Sequence, residues 1–306
     1  MDTFEENFEE TEPSSYIANA EEHLILMHRD AHFGGSFETM IQYYEEEGKG
    51  VVSEFDLNLI RQLCEIEKRT GNNLAIQILS GADAEKVSEV RKAYKSLKSL
   101  YEEENPKNIG PRLIADLILS EEELPEQEIA AIVKQKALLV PLLIDLVRSE
   151  KFYDPLFPGY GQAPSLAAHC LGLIGDKRAM FSLFEAIGET NFFSEDTLLD
   201  SLKHIGEPAK NFLLKVVQSD PINYDNERAA IALVRFKEDP EVSSTCLKML
   251  LKPHVWKDSV LTLHLILVCE GLQDLREQQQ FSALADNPAF PKSLVQDIKV
   301  IAKKFG

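Results

Sequence analysis

The sequence predicts an all-α protein whose second half is a stack of repeated helix pairs. Three observations predict it. From about residue 17 onward apolar residues recur at three- and four-residue intervals. No run alternates apolar and polar residues between hairpin turns. From residue 167 a helix-end signature returns with a fixed period.

Composition sets the frame. The chain has 306 residues, 44% apolar and 27% charged. That length suits two domains or one elongated domain, with ample apolar material for a core. The division expected is an acidic tail over 1–16, an N-terminal helical region over 17–130 and a repeat region over 131–306. The net charge of −19 speaks against nucleic acid as a ligand, because a phosphate-tracking surface needs clustered lysine and arginine. The charge is uneven: residues 1–60 hold 15 acidic side chains against Arg29 and Lys49, a net −13, which leaves −6 for the rest. The four cysteines, Cys64, Cys170, Cys246 and Cys269, form no CxxC pair and fall in apolar helical patterns. They read as buried thiols of a reducing compartment. "MDTFEENFEETEPSS" is acidic and lacks the apolar run of a secretory signal. The most apolar stretch, "ALLVPLLIDLV" at 137–147, contains Pro141 and Asp145 and is too short to span a bilayer. A cytoplasmic location and no membrane contact are expected.

Residues 1–16 read as a solvated tail, or as a short acidic docking segment around Phe4 and Phe8. "MHRDAHFGGSF" at 27–37 carries His28 and His32 on one helical face, a spacing that can ligate a metal. A metalloprotease motif would need Glu after the first histidine, where Arg29 stands, and no histidine of the chain precedes a glutamate. The plainer reading is a helix that ends near Phe33, breaks at Gly34 and Gly35, and restarts under a Ser36 cap. In "VSEFDLNLIRQLCEIEKRTG", Phe55, Leu59, Leu63 and Ile66 keep helical spacing, Ser53 is placed to cap and Gly71 to terminate. Val87, Val90, Tyr94, Leu97 and Leu100 continue the pattern, and Pro111 opens a further helix. "SEEELPEQE" at 120–128 reads as a solvated turn.

The period appears in "AAHCLGLIGDKRA", "LLDSLKHIGEPAK" and "RAAIALVRFKEDP". Core leucines Leu171, Leu202 and Leu233 stand 31 residues apart, and Gly175, Gly206 and Lys237 follow each by four. "LTLHLILVCEGLQD" puts Leu267 and Gly271 in the same relation after a step of 34. One helix pair per period accounts for this, and a pair that cannot bury its own apolar face stacks on its neighbours. The pairs expected are 136–149 with 163–174, 176–189 with 194–205, 207–218 with 226–236, 239–252 with 256–270, and 272–285 with 292–304. The insertion "KFYDPLFPGYGQAP" interrupts the first. Its aromatic residues, Phe157 and Tyr160 among them, either pack down as a plug or present a binding edge.

"LLVPLLIDLV" followed by "SLAAHCLGLIGDKRA" resembles HEAT-type repeats, in particular the short bacterial-type variety of phycobilisome (PBS) lyases, over about residues 136–304. Pro141 sits where such repeats kink their first helix. Ala167, Ala168, Leu171, Gly172, Ile174, Gly175 and Asp176 match the end of the second helix and its turn; Arg228, Ala229, Ala230 and Leu233 match the second-helix signature. The family's Asp and Arg ladder is represented only by Asp225 and Arg228. The resemblance implies a right-handed α-solenoid whose second helices line a concave face. Positions two before and one after each core leucine would then face the groove: His169 and Gly172, Asp200 and Lys203, Ile231 and Val234, Leu265 and Val268. The expected function is a non-enzymatic protein-protein interaction scaffold. It would bind a protein partner that is basic or presents an amphipathic helix on Ile231, Val234, Leu265 and Val268, with Asp200, Lys203 and Arg235 setting orientation. That strip is either open or covered by a neighbouring helix or a second copy. The alternative is a lyase-like or metal-dependent enzyme, or an enzyme accessory, using His28 and His32 or the 152–164 loop. No catalytic constellation can be assembled, and no cofactor is implied. A DNA-glycosylase relative would need a basic groove.

Overall fold

The computed structural model of the chain describes residues 19–46, 55–102, 108–120, 122–188 and 195–305. The acidic tail and Ser53 lie outside them. Among the described residues there are seventeen α-helices, short 3-10 turns and no strand, so the chain is all-α. No helix among them is long and apolar enough to cross a membrane.

Two compact units divide at Ser96/Leu97 rather than near residue 130. The earlier boundary has a packing reason. Helices α6 (Gly110–Leu119) and α7 (Glu126–Lys134) place Leu117, Ile118, Ile129 and Ile132 in the core of the second unit.

The first unit is built by α1 (Ala20–His32), α2 (Phe37–Glu45), α3 (Leu57–Thr70), α4 (Leu74–Ile78) and most of α5 (Gly81–Ser99). Asn19 and Glu22 form a reciprocal cap at the start of α1, at 2.9 and 2.7 Å. Gly34 and Gly35 take φ of 64° and 83°, and the Ser36 hydroxyl accepts the Thr39 N–H at 3.2 Å. The break in "HFGGSF" is therefore the helix-stop and restart that its residues suggest. Asp56 caps α3, accepting from Asn58 N–H at 2.9 Å, and Gly71 ends it at φ 68°. Ile25, Leu26, Phe37, Met40, Phe55, Ile60, Leu63, Cys64 and Leu74 form its core.

Arg29 is fully buried in this unit. Its guanidinium donates to Asp30 at 2.9 Å, Glu67 at 2.8 Å and Asn73 at 3.2 Å, and lies 4.5 Å from the Phe37 ring centroid. Glu67 also accepts the Leu74 N–H at 2.8 Å. One arginine thus joins α1, α2, α3 and α4.

The second unit continues with α8 (Val140–Val147), α9 (Ala163–Ile174), α10 (Met180–Glu185), α11 (Glu195–Ile205), α12 (Glu207–Val217), α13 (Tyr224–Leu233), α14 (Pro240–Leu250), α15 (Ser259–Val268), α16 (Leu275–Ala283) and α17 (Val295–Ala302). The pairs in contact are α8 with α9, α10 with α11, α12 with α13, α14 with α15, and α16 with α17, which are the five pairs expected. Second helices also pack on one another, α9 on α11, α13 on α15 and α15 on α17, while α11 meets the 3-10 turn Val234–Phe236 that ends α13. First helices do the same, α8 on α10, α12 on α14 and α14 on α16. Phe181 and Phe184 of α10 pack edge-on against Phe212 of α12, at 5.0 and 5.1 Å. Pro141 lies in the first turn of α8, where its missing N–H costs nothing; it starts the helix and does not kink it.

Burial reveals the repeat register. Ala167, Ala168, Cys170 and Leu171 are buried; so are Leu198, Leu199, Ser201 and Leu202; so are Ala229, Ala230, Ala232 and Leu233; and so are Leu265, Ile266, Val268 and Cys269. The steps are 31, 31 and 36, so the residue equivalent to Leu233 is Cys269, not Leu267. The extra length lies in the α14–α15 connection, where the 3-10 turn Val255–Lys257 is held by the Trp256 indole N–H on Leu250 O at 2.7 Å.

Asn226 fastens one pair internally. It is fully buried; its amide donates to the carbonyls of Val216, Val217 and Ser219 at 3.0, 3.2 and 2.9 Å, and its carbonyl accepts the Asn223 N–H at 2.8 Å. It closes the end of α12 and caps α13 at once. Asn226→Ala is expected to cost about 2 kcal/mol, because the carbonyls stay buried without their donor. A chemical-denaturation midpoint unchanged from wild type would contradict this.

Candidate partner-binding face

Each second helix buries one side and leaves a stripe on the other. Position by position the stripes align as Ser165, Asp196, Glu227 and Leu263, then His169, Asp200, Ile231 and Leu267. Ile231, Val234, Leu263 and Leu267 are partly buried and rest on the core, and Val260 is 43% exposed at the start of α15. These five side chains make the apolar part of the face.

His169, Asp200, Lys203, Ile231, Val234 and Arg235 lie on the stripe. Leu265 and Val268 do not: both are fully buried in the core, because the register step before α15 is 36 and not 34. Their places are taken by Leu267 and Glu270. Gly172 is also buried. A Cβ there would come within 2.6 Å of the Ser201 hydroxyl, and that hydroxyl donates to Ala168 O at 2.9 Å, so α9 and α11 pack too closely at this position for a side chain.

Ion pairs run along this face from helix to helix. The Arg235 guanidinium pairs with Asp196 and, at 3.1 Å, with Asp200. Lys237 reaches Glu270 at 3.3 Å, and Lys304 reaches it at 3.0 Å. The Lys304 ammonium, with Lys237 beside it, holds the Glu270 carboxyl below its usual range. The Lys203 ammonium sits 4.9 Å from the Phe236 ring centroid. Asp225 and Arg228 pair at 3.5 Å, while Arg228 Nε donates to Ile187 O at 2.9 Å. These surface pairs each contribute little to stability, on the order of 0–1 kcal/mol, and chiefly fix side-chain orientation.

His169 is half-buried, and burial lowers its pKa, with the charge of His204 adding to the effect. Its folded pKa therefore lies below the unfolded one, and the unfolded chain binds more protons as pH falls through about 6.5. His169 contributes stability that is full above that pH and lost below it. In His169→Gln the loss of melting temperature between pH 7.5 and about 5.5 is expected to be smaller than in wild type; an equal loss in both would contradict this.

The aromatic insertion packs down. Leu156 and Phe157 are buried, and the Tyr153 hydroxyl donates to Val147 O at 2.5 Å. Phe157 is therefore part of the packing and not a presented edge. Gly159 and Gly161, at φ 86° and 81°, turn the chain back, with Tyr160 between them half-buried at φ 51°.

In the first unit His28 and His32 stack with ring centroids 5.1 Å apart. His28 is buried and meets the edge of Phe55 at 5.2 Å, and His32 Nδ1 lies 2.8 Å from the Tyr94 hydroxyl. No group of three or more His, Cys, Asp or Glu placed to hold a metal occurs among the described residues. The four cysteines are buried and unbridged. No family model and no curated protein sequence matches the chain.

Proposed function

We propose that this chain is a non-enzymatic interaction protein that holds a segment of another protein against the stripe face of α11, α13 and α15. The single observation that carries the reading is the apolar row of Ile231, Val234, Leu263 and Leu267, framed by the Arg235–Asp200 and Lys237–Glu270–Lys304 pairs. An apolar patch rimmed by ordered charge is the usual form of a protein-docking surface. Burial of each aliphatic anchor contributes roughly 1.5–3 kcal/mol before ordering costs. The 31-residue register and the sequential stacking of pairs support reading residues 136–304 as a HEAT-like array of the PBS-lyase type, with this face as its concave side and a right-handed superhelix.

The test is affinity capture from the source-cell lysate, with wild type beside an Ile231→Glu/Leu267→Glu variant of verified helicity. A partner kept by wild type and lost by the folded variant supports the reading. A partner recovered equally by both overturns it. Leu265→Glu is unsuitable, because it would put a charge into the core.

A further inference from the structure

The acidic segment at the start of the sequence has a counterpart on α5. Residues 2–12 hold Asp2, Glu5, Glu6, Glu9, Glu10 and Glu12 and no cation, and "PSSYIAN" at 13–19 carries no charge. Within the first unit the later part of α5, residues 91–96, carries Arg91, Lys92 and Lys95 and no acid, whereas 81–90 carries Asp83, Glu85 and Glu89 against Lys86. Helical spacing puts Arg91, Lys92 and Lys95 on one side of α5, away from the buried Val87 and Val90, and all three are exposed. None of them forms an ion pair among the described residues. Arg61 and Lys68 on α3 do, with Glu45 at 2.7 Å and Glu38 at 3.2 Å. Like charges three and four residues apart on a helix repel, so the fold gains nothing from grouping these three. In a chain of net charge −19 such a cation face needs a reason.

Three contacts set α1 alongside α5 in the same direction. His23 Nε2 lies 3.1 Å from the Asp83 carboxylate, Arg91 Nε donates to Asp30 O at 2.7 Å, and His32 Nδ1 lies 2.8 Å from the Tyr94 hydroxyl. Asn19, the cap of α1, is therefore at the acidic end of α5. From its level Arg91 to Lys95 lie roughly 18–24 Å further along the helix. The uncharged residues 13–19 span up to about 23 Å when extended. They are long enough to pass Asp83, Glu85 and Glu89 and bring the acids level with the cations.

We infer that the cation face of α5 is the docking site of the chain's own N-terminal segment, with the acids of residues 2–12 against Arg91, Lys92 and Lys95. Pairs between exposed charges are weak singly. Tethering through residues 13–19 raises the local concentration of the segment to roughly the millimolar range, so weak pairs suffice. Salt screens them. While docked, the segment closes this face to acidic ligands from outside. The inference stands apart from the docking face of the second unit.

The test is carbodiimide crosslinking, which joins a carboxylate to an amine in contact with it, on an equal mixture of unlabelled and isotope-labelled full chain. Links are expected between an acid of residues 2–12 and Lys92 or Lys95, within chains of one label, with a yield that falls at least about fivefold on going to high salt. No such link overturns the inference. So do links formed as readily to Lys215 and Lys248, which are exposed on the second unit. Links only between differently labelled chains also overturn it, since the face would then join two copies. A fluorescein-labelled peptide of residues 1–19 supplies the second readout. Glu5→Gln/Glu6→Gln/Glu9→Gln/Glu10→Gln full chain is expected to bind it about tenfold more tightly than wild type, because the chain's own segment no longer competes. Adding Arg91→Gln/Lys92→Gln/Lys95→Gln is expected to abolish that binding at an unchanged melting temperature. Equal binding by wild type and the glutamine variant, or binding that survives loss of the three cations, overturns the inference.

Discussion

Replacing Gly271 by alanine is expected to destabilise the second unit by at least about 3 kcal/mol. The reason is not backbone conformation, because φ at this residue is not positive. A Cβ on Gly271 would lie 1.7 Å from the Lys237 carbonyl oxygen and 2.6 Å from its carbon. Both are backbone atoms, so no rotamer change relieves the clash. The ends of α13 and α15 would have to separate, and the buried Leu233, Phe236, Cys269 and Leu272 would lose contact. Gly206 is the control. It has φ 76° with nothing nearer than 4.0 Å to its Cβ position, so Gly206→Ala costs only the left-handed backbone term of about 1 kcal/mol. The single tryptophan is a convenient reporter of the second unit, where Trp256 packs edge-on against Phe290 at 5.2 Å. Urea unfolding followed by its fluorescence should show a much lower midpoint for Gly271→Ala than for Gly206→Ala. Equal midpoints would contradict the packing account.

The second large effect belongs to Arg29. Arg29→Met is expected to cost the first unit about 3–5 kcal/mol, the usual result of removing one partner from a buried ionic network. Glu67 and Asp30 keep their charges but lose the guanidinium, and Asn73 and the Phe37 face lose it too. Methionine fills much of the volume, so the loss is electrostatic and not a cavity effect. Hydrogen exchange should show faster exchange of the amides of α1, α3 and α4 and unchanged protection in α12 to α15. Unchanged protection in α1 would remove Arg29 from its central role.

The stretch "MHRDAHFGGSF" shows which features were legible. The glycine break and the serine cap follow from local backbone chemistry, and both are where the residues suggest. The role of Arg29 was hidden, because Glu67 and Asn73 lie 38 and 44 residues away in sequence. Among histidines spaced for a metal, the residue that matters to the structure is the arginine between them.

The helix pairs were legible for a similar reason. Consecutive amphipathic helices of one period bury their apolar faces on each other, even across the insertion between α8 and α9, so the period alone predicts the partners. The phase of α15 was not. "LTLHLILVCEGL" is apolar nearly all round, so periodicity does not say which stripe faces the core, and the longer α14–α15 connection shifts the step unnoticed. Two buried polar residues carried the missing signal. Asn226 and Thr262 occupy equivalent places near the starts of α13 and α15, and their spacing of 36 gives the register directly. The Thr262 hydroxyl donates to Asp258 O at 2.5 Å, and the carboxyl of that Asp caps α15 by accepting the Leu261 N–H at 2.9 Å. Gly271 was legible as special, but for the wrong cause: close approach and not a left-handed turn.

The most direct test of the docking face is site-specific photocrosslinking in the source cells. A photoreactive phenylalanine analogue would replace Val234 or Leu267 on the stripe face, and Phe181 or Leu275 on the first-helix layer, where these side chains are 54% and 71% exposed. The account predicts one shared crosslinked product from positions 234 and 267 and none of that mass from 181 and 275. The same product from the first-helix positions, or none from the stripe while 181 or 275 crosslinks, would place the binding surface elsewhere.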